Sequence, residues 1–237
     1  MALYIIGDLH LSFSKNKPMS IFGDVWKNHE EKIKESWKKN VKKDDIVILA
    51  GDFSWATYID EAYEDFKYIN CLPGKKIFLK GNHDYWWETV TKMKKFLEEK
   101  KISNIEFLYN NVYEYGNYII SGAKGYSSQE NEKDIKIYNR ELLRLEISLQ
   151  KAKEIKEKSE NLKKIITILH YPPISDMREK NTNKFIKIMN KYNVEKCYYG
   201  HLHGHSINHA IEGKVLEVEL KLISADKLDF KLYKICD

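Results

Sequence analysis

The sequence predicts a layered α/β fold, and two observations support that prediction. First, short apolar runs rich in β-branched and aromatic side chains recur along the chain, as buried strands do. They cover residues 3–7, 46–50, 76–80, 165–169 and 196–199. Second, helix-like segments separate them, over residues 29–40, 59–70, 86–100 and 181–193. Alternation of strands and helices is typical of layered α/β architecture.

The alternation breaks twice. Residues 121–128 are rich in Gly and Ser, and residues 130–160 form a long charged helical pattern. Its apolar residues recur at three- and four-residue steps and therefore share one face; they are Ile135, Tyr138, Leu142, Leu145, Leu149 and Ala152. We expect a helical excursion over about residues 123–160, packed over the sheet.

After His205 the pattern changes to hairpins. It predicts strands at residues 207–211, 215–222 and 228–235, with a turn at Glu212-Gly213. The sequence shows no internal repeat and no Pro/Gly-rich linker. We therefore expect a single domain over residues 1–237.

Composition narrows the class of protein. The net charge of +5 comes from 40 basic and 35 acidic residues, spread along the chain without a concentrated basic stripe. A nucleic-acid partner is thus possible but not favoured. The three cysteines stand far apart, which argues against a disulfide framework. With no apolar run of about 18 residues and no signal-peptide pattern, we expect a cytoplasmic protein without membrane association.

Side chains that can bind a metal follow every one of the strand-like runs. They are Asp8, His10, Asp52, Asn82, His170, His201 and His203. Because ligand sites gather at the carboxyl ends of strands in layered α/β folds, we expect these side chains to converge. Carboxylate, imidazole and amide oxygen together are the typical ligands of a borderline-hard divalent or trivalent metal. They are not the ligands of a thiolate zinc site. Asp52 could bridge two cations with its two oxygens.

The motifs around these residues resemble those of the calcineurin-like metallophosphoesterase superfamily. In order, they are Asp8-Leu-His10, Gly51-Asp52-Phe-Ser, Gly81-Asn-His-Asp84, His170 after a strand, and Gly200-His-Leu-His203. The resemblance spans residues 4 to about 205. It implies an αββα sandwich of mixed sheets with a metal site at the strand carboxyl ends. Trp26, Trp37 and Trp55 resemble a bacterial branch of predicted phosphohydrolases.

The resemblance also implies a role for each residue. One metal would be held by Asp8, His10, Asp52 and His203, and the other by Asp52, Asn82, His170 and His201. Mn, Fe, Zn, Ni and Co all accept such ligands. A hydroxide bridging the two metals would attack phosphorus in line. His83 would not bind metal but would act at the leaving group, and Asp84 would orient His83.

The leading prediction is a dinuclear metal-dependent phosphoesterase that hydrolyses a small phosphomonoester or phosphodiester. The alternatives are a nuclease with a polymeric substrate and a catalytically idle interaction scaffold. The substrate and the oligomeric state stay open.

Several further residues have two interpretations each. Arg140 is either a clamp for the substrate phosphate or an ordinary arginine on a helix surface. Trp55, Trp86 and Trp87 form either core packing or an aromatic wall, and Tyr171 could line the pocket. For His29, a surface or capping position is favoured, and for His205 and His209 a structural one.

Overall fold

The computed structural model describes residues 1–15, 17–160 and 162–237. The chain divides into two compact units, residues 1–107 with 223–237 and residues 108–222. Each unit is built on one mixed sheet, so the predicted α/β class with mixed sheets is confirmed. The expectation of a single domain stays a prediction. No helix in the described part of the chain is long and apolar enough to cross a membrane.

In the described residues of the first unit, five strands form a sheet in the order β11-β1-β2-β3-β4. The strands are β1 (Leu3–Ile6), β2 (Ile46–Ala50), β3 (Lys75–Leu79), β4 (Ile105–Phe107) and β11 (Tyr233–Cys236). β1 to β4 are parallel neighbours, and β11 pairs antiparallel with β1. The connecting helices are α1 (His29–Asn40), α2 (Tyr63–Asn70) and α3 (Val90–Glu99). The carboxyl ends of β1, β2 and β3 therefore lie at one sheet edge.

Two helices begin four residues later than the sequence predicts. α2 begins at Tyr63 and α3 at Val90, after turns at residues 59–62 and 84–87. Thr89 caps α3, because its side chain accepts a hydrogen bond from the backbone N–H of Lys92. Trp86 thus lies outside the helix and packs on Phe66 instead, with ring centroids 5.0 Å apart.

In the described residues of the second unit, six strands form a sheet in the order β5-β6-β7-β8-β10-β9. The strands are β5 (Tyr113–Tyr115), β6 (Tyr118–Ala123), β7 (Lys164–Leu169), β8 (Val194–Tyr199), β9 (Gly213–Val215) and β10 (Val218–Leu222). The four central strands are parallel, and a hairpin closes each edge. The helices are α4 (Glu132–Lys158) and α5 (Lys184–Lys191).

β6 is a central strand that the sequence pattern hides. Its second half reads Ser121-Gly122-Ala123 and resembles a loop. Small residues are needed there, because a Cβ on Gly122 would lie 2.5 Å from the carbonyl oxygen of Ile168 and 2.8 Å from the Leu108 side chain. Close packing of this strand thus explains its Gly/Ser composition.

The predicted long helix is present as α4. Tyr138, Leu145, Leu149 and Ala152 lie on its buried face as expected, whereas Ile135 is 44% exposed. The helix begins at the cap residue Asn131, whose side chain accepts a hydrogen bond from the backbone N–H of Asp134.

The predicted hairpins after His205 are partly wrong. Residues 204–209 form a 3-10 turn, not a strand. Residues 213–222 form the two strands β9 and β10, so the predicted turn at Glu212-Gly213 is wrong. The chain turns at Leu216 instead, which has a left-handed φ of 53°. The last strand, β11, pairs with β1 in the sheet of the first unit. The apolar and polar pattern of a strand does not predict which other strand it pairs with.

Candidate metal-binding and catalytic site

Several predicted metal ligands have left-handed backbone conformations. Asp8, His10, Asp52 and His201 have φ of 61°, 48°, 51° and 74°. Non-glycine residues rarely adopt such angles, and each costs of order 1–3 kcal/mol where the surroundings enforce it. Such strained residues cluster at functional sites. The conformations turn the chain sharply where a strand ends.

In the first unit, three predicted ligands lie together at the ends of β1 and β2. Asp8, His10 and Asp52 are each at most 2% exposed, and His10 Nε2 lies 3.7 Å from Asp52 Oδ2. The N–H groups of Asp8 and His10 donate to the carbonyls of Gly51 and Asp52, both at 2.9 Å. Two buried carboxylates beside an imidazole form a donor set that suits a cation, because buried negative charge needs compensation. The residues present therefore fit a metal ion.

Asp84 organises the turn that carries Asp52. It is fully buried, and its carboxylate accepts five hydrogen bonds. The donors are the backbone N–H groups of Gly81, Asp52, Phe53 and Ser54 and the indole N–H of Trp86, at 2.7 to 3.3 Å. The sequence did not predict this role, and the expected orientation of His83 by Asp84 stays a prediction.

Gly81 allows the turns after β2 and β3 to meet. A Cβ at this position would lie 2.1 Å from Asp52 Oδ1 and 2.2 Å from the backbone nitrogen of Asp52. Such contacts are shorter than any van der Waals separation, so only glycine fits without displacing Asp52.

His83 lies beside these ligands. Its backbone N–H donates to Asp52 Oδ1 at 2.8 Å, and its ring centroid lies 5.7 Å from that of His10. Trp55 contacts both imidazoles, with centroids 4.5 Å from His83 and 4.7 Å from His10. Trp55 is half-buried and thus forms an aromatic wall on this side of the cluster. Trp86 and Trp87 are buried and belong to the core.

Asp65, on α2, forms hydrogen bonds with two of the loops near the candidate ligands, the loop after β1 and the loop after β2. It is fully buried and accepts hydrogen bonds from the Phe13 backbone N–H at 2.9 Å and from the Ser54 hydroxyl. Burial raises the pKa of Asp65 from 3.8 to about 6, although these hydrogen bonds act in the opposite direction.

We expect the Asp65→Asn variant to lose part of the pH dependence of folding. The pKa of Asp65 is higher in the folded chain than in the unfolded one, so its stabilising contribution is complete below about pH 4 and is lost as the pH rises through about 6. Over that interval the free energy of unfolding of the wild type should fall relative to Asp65→Asn, by at most about 3 kcal/mol. Urea unfolding of both proteins from pH 4 to 7 measures this, and parallel curves would contradict it.

In the second unit, His170 and His201 follow β7 and β8. Their ring centroids lie 5.1 Å apart at 74°, and His170 is fully buried. Tyr171 packs over His201 with centroids 4.2 Å apart, which places this half-buried side chain beside the candidate ligands. The Gly200 backbone N–H donates to the His170 carbonyl at 3.0 Å and joins the two strand ends.

Lys124 and Tyr126, which the sequence reasoning missed, lie at the end of β6. The Lys124 carbonyl accepts the backbone N–H groups of both His170 and Tyr171 at 3.0 Å. The Tyr126 ring contacts Tyr171 at 5.4 Å, and its hydroxyl donates to Asp134 of α4 at 2.9 Å. Recognition of β6 as a strand would have identified this loop.

The remaining candidates in the second unit lie in the segment after β8 and on α4. His203 caps the 3-10 turn at residues 204–209, and His205 and His209 are exposed within that turn. Arg140 lies on α4, half exposed, with Nε 3.3 Å from Glu141 Oε1.

Comparisons with known proteins agree with this fold. A model of the calcineurin-like phosphoesterase family matches residues 1–205. A protein of unknown function from Aquifex aeolicus is similar in structure, with 18% identity, TM-score 0.53, and 98% of this chain and 95% of that chain covered. A phosphopantetheinyl hydrolase from Mycobacterium tuberculosis has 14% identity and TM-score 0.54, with coverage of 99% and 95%. At these identities the similarity concerns the fold alone. No curated protein sequence matches the chain significantly.

Proposed function

Because the chain belongs to the calcineurin-like phosphoesterase family, we propose that it hydrolyses a small phosphomonoester or phosphodiester with the help of two metal ions. The observation that carries this proposal is the buried cluster of Asp8, His10 and Asp52 at the ends of neighbouring strands. A bound cation would stabilise these buried carboxylates, because it would compensate their negative charge.

The proposed ligands are those of the family motifs. Asp8, His10, Asp52 and His203 would hold one ion, and Asp52, Asn82, His170 and His201 the other. Metal ions, when bound, supply Lewis acidity that makes hydroxide available at neutral pH and neutralises phosphoryl charge. Mn, Fe, Zn, Ni and Co all suit these nitrogen and oxygen donors.

The side chains that would act on the substrate are His83 and Arg140. His83 is placed next to Asp52 through its backbone hydrogen bond, and its imidazole would donate a proton to the leaving-group oxygen. Asp84, which fixes the same turn, would act as a positioning residue for His83. Arg140 is the proposed contact to the substrate phosphate, since the hydrogen bond described for it uses Nε and a guanidinium has four further N–H donors.

We expect metal-dependent turnover of p-nitrophenyl phosphate or bis-p-nitrophenyl phosphate. Removal of metal with a chelator should reduce the rate to background, and Mn²⁺ should restore it, because the proposed nucleophile is a hydroxide that the metal ions would make available. Release of p-nitrophenol measures both effects. Absence of metal-dependent turnover of either ester would contradict the proposal and favour the interaction scaffold.

The nuclease alternative is tested in the same preparation. A single-stranded oligonucleotide and a plasmid, incubated with the Mn²⁺-loaded protein, should stay intact under conditions in which the small esters turn over. Cleavage of the polymers at a higher rate than the small esters would favour the nuclease instead.

A further inference from the structure

His29 is buried, in contrast to the surface or capping position that the sequence favoured. The side chain is 2% exposed at the first residue of α1. Its Nε2 lies 3.1 Å from the carbonyl oxygen of Leu9, the residue between Asp8 and His10. Because a carbonyl only accepts hydrogen bonds, Nε2 must be the donor.

The peptide segment that His29 contacts is strained. Asp8 and His10 flank Leu9, and both have left-handed φ angles. Their N–H groups donate hydrogen bonds to the carbonyls of Gly51 and Asp52, which follow β2. The Leu9 carbonyl accepts its hydrogen bond from the imidazole of His29, which lies on α1 and not on β2. The segment is therefore held by hydrogen bonds to two separate elements.

The imidazole of His29 is itself fixed. Its Nδ1 lies 3.2 Å from Glu30 Oε2, and the hydrogen bond to His29 is the main cause that lowers the pKa of Glu30. The ring packs edge-on against Trp26, with centroids 5.4 Å apart, and in a tilted arrangement against Phe230, with centroids 6.0 Å apart. Trp26 in turn contacts the His10 ring at 5.9 Å. The aromatic rings that pack against the imidazole and the Glu30 carboxylate together fix its orientation.

We propose that His29 is a positioning residue that holds Asp8 and His10 in their metal-binding conformation through the Leu9 carbonyl. This inference rests on the proposed metal centre. Loss of the hydrogen bond lets the Leu9 peptide rotate, and relaxation of either left-handed residue turns its side chain away from the site. Partners that orient metal ligands typically change metal affinity by about 10–100-fold when removed.

The test compares His29→Leu with His29→Gln. Leucine keeps the bulk but removes the donor, whereas the glutamine amide can donate to the Leu9 carbonyl from nearly the same position as Nε2. We expect Mn²⁺ affinity, measured by calorimetry, to fall by about 10–100-fold in His29→Leu and to stay close to wild type in His29→Gln. In the metal-free protein, hydrogen exchange of the His10 amide should be faster in His29→Leu than in the wild type and in His29→Gln.

A second pair of variants covers the case in which His29→Leu fails to fold. Glu30→Gln weakens the interaction with His29 Nδ1 and leaves the buried residues unchanged. Glu31→Gln is the matched control, because Glu31 is exposed and its carboxylate pairs with Lys34 on the helix surface. Glu30→Gln should lower Mn²⁺ affinity and accelerate exchange of the His10 amide, and Glu31→Gln should change neither.

The outcomes separate the two proposals. Wild-type Mn²⁺ affinity in His29→Leu, equal losses in the leucine and glutamine variants, or equal effects of Glu30→Gln and Glu31→Gln would overturn the role of His29. A wild-type protein that binds none of Mn, Fe, Zn, Ni and Co would overturn both proposals. Mn²⁺ binding without turnover of any ester would overturn the proposed function alone.

Discussion

The Asp84→Ala variant is expected to lose most of the stability of the fold. The substitution leaves five buried N–H donors without their acceptor, four of them in the backbone of the turns after β2 and β3. An unsatisfied buried donor costs roughly 1–3 kcal/mol, so a loss of at least about 4 kcal/mol is expected even after partial relaxation. That is a large part of the roughly 5–15 kcal/mol that keeps a typical domain folded.

Urea unfolding of the metal-free protein measures this loss. Asp84→Asn should be intermediate, because the amide retains one acceptor oxygen but presents N–H donors to the other N–H groups. Asp44→Ala is the control, since Asp44 is exposed and should change stability by no more than about 0.5 kcal/mol. If Asp84→Ala unfolds at the same urea concentration as Asp44→Ala, the five hydrogen bonds to the Asp84 carboxylate are not a determinant of stability.

The Asp52→Asn variant is expected to fold but to lose metal and activity. An asparagine oxygen can still accept the His83 backbone N–H, so the turn is preserved. The variant lacks the negative charge and the second oxygen with which Asp52 would hold both proposed ions and would offset their mutual repulsion. Breaking a buried charge pair costs about 3–5 kcal/mol, which corresponds to a loss of roughly 10²–10⁴ in affinity for the ions.

Comparison with His83→Ala distinguishes metal binding from action on the substrate. His83→Ala should keep its metal content but lose roughly 10²–10⁴ in turnover, the usual contribution of a general acid. Metal analysis after gel filtration, together with ester hydrolysis, measures both properties. Full metal content in Asp52→Asn would contradict the bridging role, and loss of metal from His83→Ala would contradict its assignment to the leaving group.

The strands that end in candidate ligands could be predicted because their signal is local. Residues 3–7, 46–50 and 165–169 are continuous apolar runs, and β1, β2 and β7 lie within one residue of these bounds. The same reasoning failed for β6, where close packing at Gly122 requires small residues that read as a loop. It also failed for residues 207–211, since a short apolar stretch does not distinguish a strand from a 3-10 turn.

The α/β class, the family motifs and the candidate ligands can be predicted from the sequence, because each depends on neighbouring residues in the chain. The hydrogen bonds that position those ligands are visible in the folded protein but not in the sequence. The contacts of Asp84 with Phe53, of Asp65 with Phe13 and of His29 with Leu9 join residues that are 31, 52 and 20 positions apart. No local period encodes such hydrogen bonds, since they depend on how separate strands and helices meet in space.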